Sequence, residues 1–378
     1  MTFVLPGGGV LALPRTLARL VLARPTAEDR AEILDLLMAP GVLAWSLRVD
    51  DAPRDAAERW LDRRLAGWTD EGVGIGTVRT IEDGRLVGLV GLRASTLQGA
   101  VDEPVLEIGW RVRPDVEGRG FATEAAEGWI RLAFDELGAT RIACQVDQRN
   151  DRSRRLARRL GFRSPQMVEL EMQQSPEGRA THERSWLRPR DLAAQLVERF
   201  EPPEGRGYTP HLEDRQRTID LCGRDDVDVL GRDDEGHLTG SALVVDADLE
   251  RVLLLFHEKL HIWVQPGGHL DGDWDVLRSA MREAHEETGI DGLVGIGRIV
   301  DISVHLIEHP SAPAHHHHDL RTVVIAPPGA QPMANEEARQ FRWLTLDEIE
   351  LDPAVDGGLV RLGRNGLAAA REWSGTAR

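Results

Sequence analysis

The run Gly267-Gly268-His269-Leu270-Asp271-Gly272, followed by Arg282-Glu283-Ala284-His285-Glu286-Glu287-Thr288-Gly289-Ile290, narrows the folds open to this chain more than any other stretch. A glycine pair turns the backbone, and Gly289 is placed to end a helix. Between these points Glu283, Glu286 and Glu287 stand at i, i+3 and i+4, so on a helix they share one face. Three carboxylates held that close repel one another unless a cation sits among them. Hard oxygen donors of this kind suit Mg²⁺ or Mn²⁺. The segment is expected to fold as a turn and a helix that together hold a divalent metal.

This segment resembles the Nudix box, Gly-x5-Glu-x7-Arg-Glu-U-x-Glu-Glu-x-Gly-U, in which U is bulky and apolar. Gly268, Arg282, Glu283, Glu286, Glu287, Gly289 and Ile290 fall in register. Two positions depart: Trp274, between Asp273 and Asp275, replaces the first Glu, and the small Ala284 replaces the first U. The resemblance implies an α/β/α sandwich that hydrolyses a nucleoside diphosphate linked to another group. It implies Mg²⁺ or Mn²⁺ held by Glu283, Glu286, Glu287 and Gly268, with Glu283 and Glu286 as catalytic groups and Arg282 orienting them. Bound metal would polarise a phosphoryl oxygen and activate water.

Two further segments fit the same resemblance. His315, His317, Asp319 and Arg321 alternate along a strand and share one of its faces, as in the His-x-His-x-Asp-x-Arg strand of many Nudix proteins. The histidine run reads either as a zinc site or as a strand with a polar, site-facing edge. Glu337, preceding Trp343, matches an acidic residue that serves Nudix proteins as a further metal ligand or base; a solvated acidic loop is the other reading.

The N-terminal half carries a different pattern. Val105 to Val112 reads as a strand, and the turn Pro114-Asp115-Val116-Glu117-Gly118-Arg119-Gly120 follows. Helical apolar spacing then runs through Ala125, Ala126, Trp129, Ile130, Ala133, Phe134 and Leu137. A glycine-rich turn into a helix N-terminus presents N–H groups to an anion. A strand over 141–146 leads to Asn150-Asp151-Arg152-Ser153 and a helix ending at Leu160-Gly161-Phe162. Upstream, Thr26 to Asp29 is expected to cap a helix over 29–38.

This order resembles the GNAT acetyltransferases, in the subgroup of ribosomal-protein-type N-acetyltransferases, over about residues 22–186. The resemblance implies a splayed mixed sheet and acetyl-CoA bound at Val112, Arg113, Gly118, Arg119, Gly120, Ala122, Thr123 and Asn150. Asp115 departs from the family's loop and weakens the pyrophosphate contact there, leaving Arg113 and Arg119 as charge partners. Glu107 is the candidate base, acting through water, or else a structural strand residue. Tyr208, the only tyrosine, lies outside this fold, so Ser153 is the candidate acid or thiol donor, and also a candidate helix cap. The Val112 N–H is expected to polarise the thioester carbonyl.

The whole reads as a two-domain α/β (α+β) chain. It comprises an N-terminal extension over 1–20, an acetyltransferase domain over 21–188, a linker with a short helix over 189–209, and a hydrolase domain over 210–378. Net charge is −17 and falls almost wholly after residue 199. That suits an anionic cofactor in the first half and a metal in the second, and opposes stable nucleic-acid binding. Cys144 and Cys222 lie one per half and imply no disulfide framework, so a cytoplasmic location is expected. No stretch is apolar enough to span a membrane. The expected activity is bifunctional: acetyl transfer from acetyl-CoA to a small-molecule or peptide amine, and hydrolysis of a nucleotide-like substrate. A non-catalytic Nudix-like domain that regulates the acetyltransferase is the alternative, and Trp274 is the feature that favours it.

Overall fold

The computed structural model describes residues 11–43, 53–95, 97, 105–171, 179–201, 209–257, 261–309, 312–334 and 338–376. The chain divides into two compact units, Met1–Asp191 and Leu192–Arg378. Glu337 and Tyr208 lie outside the described residues.

The first unit is built on β1 (Arg15–Thr16), β2 (Leu20–Ala23), β3 (Ile75–Thr80), β4 (Leu86–Ser95), β5 (Val105–Val112), β6 (Ile142–Asp147), β7 (Arg163–Glu171) and β8 (Arg179–Leu187). Their order in the sheet is β1-β2-β3-β4-β5-β6-β8-β7. The sheet thus starts inside the segment read as an extension, because Arg15 and Thr16 pair with Leu22 and Val21. Helices α1 (Arg30–Met38) and α2 (Pro53–Asp70) connect β2 to β3, α3 (Phe121–Asp135) crosses from β5 to β6, and α4 (Asp151–Arg159) joins β6 to β7. Helix α3 buries Ala125, Ala126, Trp129, Ile130, Ala133 and Phe134, the face its spacing marks out. Each large apolar side chain so buried stabilises by roughly 1.5–3 kcal/mol. Asp29 makes no side-chain cap to α1; its carboxylate instead accepts from Thr26 N–H and Oγ1.

Strand β5 is what shapes this unit. It stays paired with β4 as far as Val112↔Gly88, yet its parallel pairing with β6 consists of Leu106↔Ile142 and Glu107↔Ala143. Past Glu107 no β5–β6 pair follows, while β6 stays paired with β8 on its other edge from Ile142↔Leu187 to Asp147↔His182. The two strands therefore part, and the edge of β5 from Ile108 onward faces a cleft.

Glycines keep the sheet tight behind this cleft. A Cβ on Gly91 would press on the Gly74 carbonyl and lie 2.6 Å from Ile75 Cα and 2.8 Å from Gly76 N, all main-chain atoms that cannot swing away. Gly91→Ala should therefore destabilise the chain by about 1–3 kcal/mol. Thermal unfolding of the full chain checks this, and an unchanged midpoint would contradict it.

The second unit takes α5 (Pro189–Arg199) from Leu192 onward, then α6 (Thr209–Gly223), β9 (His237–Val245), β10 (Arg251–His257), β11 (Ile262–Val264), β12 (Gly267–His269) and α7 (Val276–Thr288). After these come β13 (Val294–His309), β14 (Ala312–Ile325), β15 (Ala338–Thr345), α8 (Leu346–Leu351) and α9 (Gly357–Thr376). The sheet runs β11-β10-β9-β14-β13, with β12 on β9 and β15 on β10. Alternation along β9 divides the core. Ala242 and Val244 meet Ala280 and Ala284 of α7, while Leu243 and Val245 meet Leu359, Leu362 and Ala370 of α9. This is an α/β/α sandwich. Helix α5, read from sequence inside a linker, buries Ala193, Ala194 and Val197 with Leu221, Leu238 and Leu320 of this unit.

Candidate active sites

The cleft of the first unit measures about 760 Å³ and is lined by Trp60, Arg64, Arg93, Glu107, Trp110, Arg111, Gln145, Asn150, Ser153 and His182, among others. The Arg113 N–H bonds Val87 O at 2.9 Å. Successive N–H groups on a strand point to opposite edges, so the Val112 N–H faces the side that β6 has left. Beyond it, Gly118 (φ 80°) and Gly120 (φ 81°) adopt left-handed conformations, which glycine reaches without steric cost. Gly120 leads straight into α3, where Ala122 and Thr123 form the first turn. Exposed Arg119 stacks 5.1 Å from the Phe121 ring centre. Asp115 is engaged by Arg85 and Arg113, and the Arg85 guanidinium holds its carboxyl below the usual range. The unfavourable carboxylate in the loop is thus partly neutralised.

Glu107 is buried and accepts from Arg93 Nη2 (2.7 Å) and Gln145 Nε2 (2.9 Å). Ser153 Oγ accepts from Trp110 Nε1 at 3.2 Å. Its expected role as a cap falls to Asn150, whose Oδ1 accepts the Ser153 N–H at 3.1 Å. That leaves the Ser153 hydroxyl in the cleft wall. Sequence reasoning missed His182, a buried β8 residue that carries no motif. Its Nδ1 lies 3.1 Å from Ala180 O, which makes Nδ1 the donor and leaves Nε2 a lone pair.

Three arginines were also missed. Arg111 stacks on Trp60 at 4.2 Å and Arg64 on the same ring at 5.5 Å. Burial, then repulsion from Arg64 and Arg93, holds Arg111 down to about 9, and burial, then repulsion from Arg93 and Arg63, holds Arg64 down to about 10. Withdrawal from water leads both shifts, and the neighbouring guanidiniums add to it.

In the second unit, α7 begins with Asp275 accepting the Arg278 N–H and ends at Gly289 in a left-handed conformation. Its acidic face meets the glycine turn. A Cβ on Gly268 would lie 2.6 Å from Glu283 Oε2, so only glycine leaves that carboxylate in place. Glu287 Oε2 accepts the Gly267 N–H at 2.9 Å. Arg282 pairs with Glu283 (2.6 Å) and Glu286 (3.2 Å) and donates to His269 O (3.1 Å). Burial raises the Glu283 pKa, and the carboxylates of Glu286 and Asp271 push it further. Glu283 and Glu287 both lie against the glycine turn, hard oxygen donors that suit a divalent cation, while Glu286 stands in an exposed ion pair with Arg282. Trp274 lies under Arg278, 5.4 Å from ring centre to guanidinium carbon.

The face of β14 that alternates with the α7 side carries His317, Asp319 and Arg321. Asp319 accepts from Thr239 (3.1 Å), Ser241 (2.6 Å) and Arg321 (2.7 Å), and Arg321 also pairs with buried Asp301 at 3.2 Å. Burial holds His269 and His318 down to about 4 and His317 to about 3. An unfolded chain protonates its histidines near pH 6.5. These folded values are depressed, so the stability they confer is present above about pH 6.5 and lost as pH falls toward 4. With metal chelated, the unfolding midpoint should drop through this window, and less so in His317→Gln. A flat profile would contradict it.

Comparison with known proteins agrees with both halves. A family model for acetyltransferase (GNAT) domains matches residues 19–163, and one for NUDIX domains matches residues 237–362. An uncharacterized N-acetyltransferase, YnaD of Bacillus subtilis, is 33% identical over 61 residues, which is 16% of this chain and 36% of that protein. The chain thus aligns with about a third of the length of that curated relative. An acetyltransferase structure from Agrobacterium tumefaciens is 24% identical, covers 46% of this chain and 94% of its own, and superposes with a TM-score of 0.35. The RimJ structure of Mycobacterium smegmatis, in complex with CoA-disulfide, is 21% identical, covers 46% and 88%, and has a TM-score of 0.38. Among the described residues no helix is long and apolar enough to cross a membrane. The chain therefore joins a GNAT acetyltransferase domain to a Nudix hydrolase domain.

Proposed function

We propose that the first domain transfers acetyl from acetyl-CoA to an amine on a molecule that also carries an anionic group. The opened edge of β5 supports the transfer, and the Arg64–Arg93–Arg111 cluster supports the anionic acceptor. Gly118, Arg119 and Gly120, with the first turn of α3 at Ala122 and Thr123, receive the pyrophosphate. Arg113 adds charge, and Asn150 holds the start of α4 beside the thioester. The amine attacks the thioester carbon while the Val112 N–H stabilises the developing oxyanion. Glu107, through water, or His182 takes the amine proton, and Ser153 donates to the departing thiolate.

We further propose that the second domain hydrolyses a phosphoanhydride in a nucleoside diphosphate-linked substrate. Glu283, Glu286, Glu287 and the Gly268 carbonyl would hold Mg²⁺ or Mn²⁺, with Arg282 keeping Glu283 and Glu286 oriented. When bound, the ion would supply a Lewis acid and an activated water. Glu337 stays a candidate further ligand. The carrying observation is the Glu283 carboxylate seated under Gly268. A second reading, a nucleotide sensor without turnover, is favoured by Trp274 and its stacked Arg278.

A hydrolysis screen tests the second proposal, with nucleoside triphosphates, dinucleoside polyphosphates, nucleotide sugars, ADP-ribose, NADH and CoA offered with Mg²⁺ or Mn²⁺. Metal-dependent products that vanish in Glu286→Gln support it. Ligand binding without turnover on every member would favour the sensor.

A further inference from the structure

We propose that the second domain holds a transition-metal ion of the Zn²⁺ class between the Nε2 atoms of His237, His315 and His317, apart from the carboxylates of α7. One ring nitrogen from each of these residues lies within 4.8 Å of the others. His315 and His317 approach Nε2 to Nε2 at 3.2 Å. Zinc–nitrogen bonds of about 2.0–2.1 Å in a tetrahedron set ligand nitrogens about 3.3 Å apart. The ring centres agree with the same geometry: His237–His315 are 5.0 Å apart, His237–His317 4.7 Å and His315–His317 5.1 Å. Rings radiating from one tetrahedral ion have centres about 5 Å apart.

The hydrogen bonds prepare these nitrogens. His237 is buried, its Nδ1 lies 3.0 Å from Asp233 O, and its Nε2 is covered without a hydrogen-bond partner. A covered acceptor with nothing to bind is destabilising, and a metal would remove that cost. His315 Nδ1 likewise lies 2.8 Å from Pro313 O. In both rings the carbonyl makes Nδ1 the donor and turns the Nε2 lone pair inward, the usual orientation of a metal-bound histidine. His269 borders the fourth position, 5.1 Å from both His237 and His317. Neutral imidazoles with no thiolate suit zinc, copper or nickel rather than magnesium.

Alternation separates this set from the α7 site. Gly268 pairs with Gly240 and lies over Glu283, whereas His269 pairs with Thr239 and faces the other way. His237 and His317 are partners across β9 and β14 on the His269 side.

The test is zinc binding to the tag-free full chain, read by metal content after dialysis and by titration calorimetry. One zinc per chain is expected. His315→Gln and His317→Gln, both on partly exposed positions, should each weaken binding at least tenfold and abolish the zinc-dependent rise in unfolding temperature. His316→Gln, on the opposite face, and Glu286→Gln should leave binding unchanged. Co²⁺ substitution should give the visible bands of a tetrahedral nitrogen site. No retained zinc, binding indifferent to both histidine variants, or binding lost in Glu286→Gln would each overturn the proposal.

Discussion

Gly268→Ala is expected to abolish metal-dependent hydrolysis while the chain stays folded. The added methyl would sit 2.6 Å from Glu283 Oε2 and 2.7 Å from its Cδ, atoms at the free end of a side chain that can swing aside. The backbone therefore survives, and the carboxylate moves. Partners one shell outside a metal are worth 10–100-fold, so displacing a ligand should cost at least about a hundredfold in kcat/KM. Acetyl transfer should not change. Hydrolysis kinetics beside a circular dichroism melt decide the matter. Retained activity would remove Glu283 from the metal site, whereas loss of both activity and fold would assign Gly268 to the scaffold.

Arg64→Gln should impair acetylation of anionic amines and spare neutral ones. Arg64 is partly buried against Trp60, and burial, with repulsion from Arg93 added to it, presses its pKa down to about 10. An anion bound there relieves that repulsion as well as gaining a charge-assisted hydrogen bond worth about 1.5–3 kcal/mol. Converted at 1.4 kcal/mol per decade, the expected loss is about 10- to 100-fold in kcat/KM. It should fall mainly on KM, since the group binds the acceptor away from the reacting atoms. Arg64 is a cleaner choice than Arg93, whose removal would also strip Glu107 of its ion pair. Equal loss on neutral and anionic amines would contradict the assignment.

Local pattern encodes much of the fold and of both sites. Helix α7 was legible because its end and its acidic face are encoded at fixed spacings: Gly289 stops it, and Glu283, Glu286 and Glu287 recur on one side, whereas the cap by Asp275 shows only in the structure. The same holds for Gly118 and Gly120, whose left-handed turns a glycine announces. What sequence left open depends on long-range register. His237 and His269 lie far from the histidine run, and only the pairing of β9 with β14 and β12 gathers them beside His315 and His317. Arg64, Arg93 and Arg111 come from α2, β4 and β5 and share no motif. Helix α5 resembled a linker element because its apolar stripe is short. Its partners Leu221, Leu238 and Leu320 are what turn it into core.

Two independent chemistries in one chain can be separated in a single experiment. Wild type, Glu286→Gln and Gly120→Val are each given acetyl-CoA, Mg²⁺ and a panel of amine-bearing nucleotides, and products are resolved by mass spectrometry. Valine at 120 opposes the left-handed backbone that the anion loop requires. Wild type should yield both acetylated and hydrolysed products, Glu286→Gln acetylated products alone, and Gly120→Val hydrolysed products alone. Loss of both products in either variant, or no product of either kind from wild type, would contradict two separate active sites.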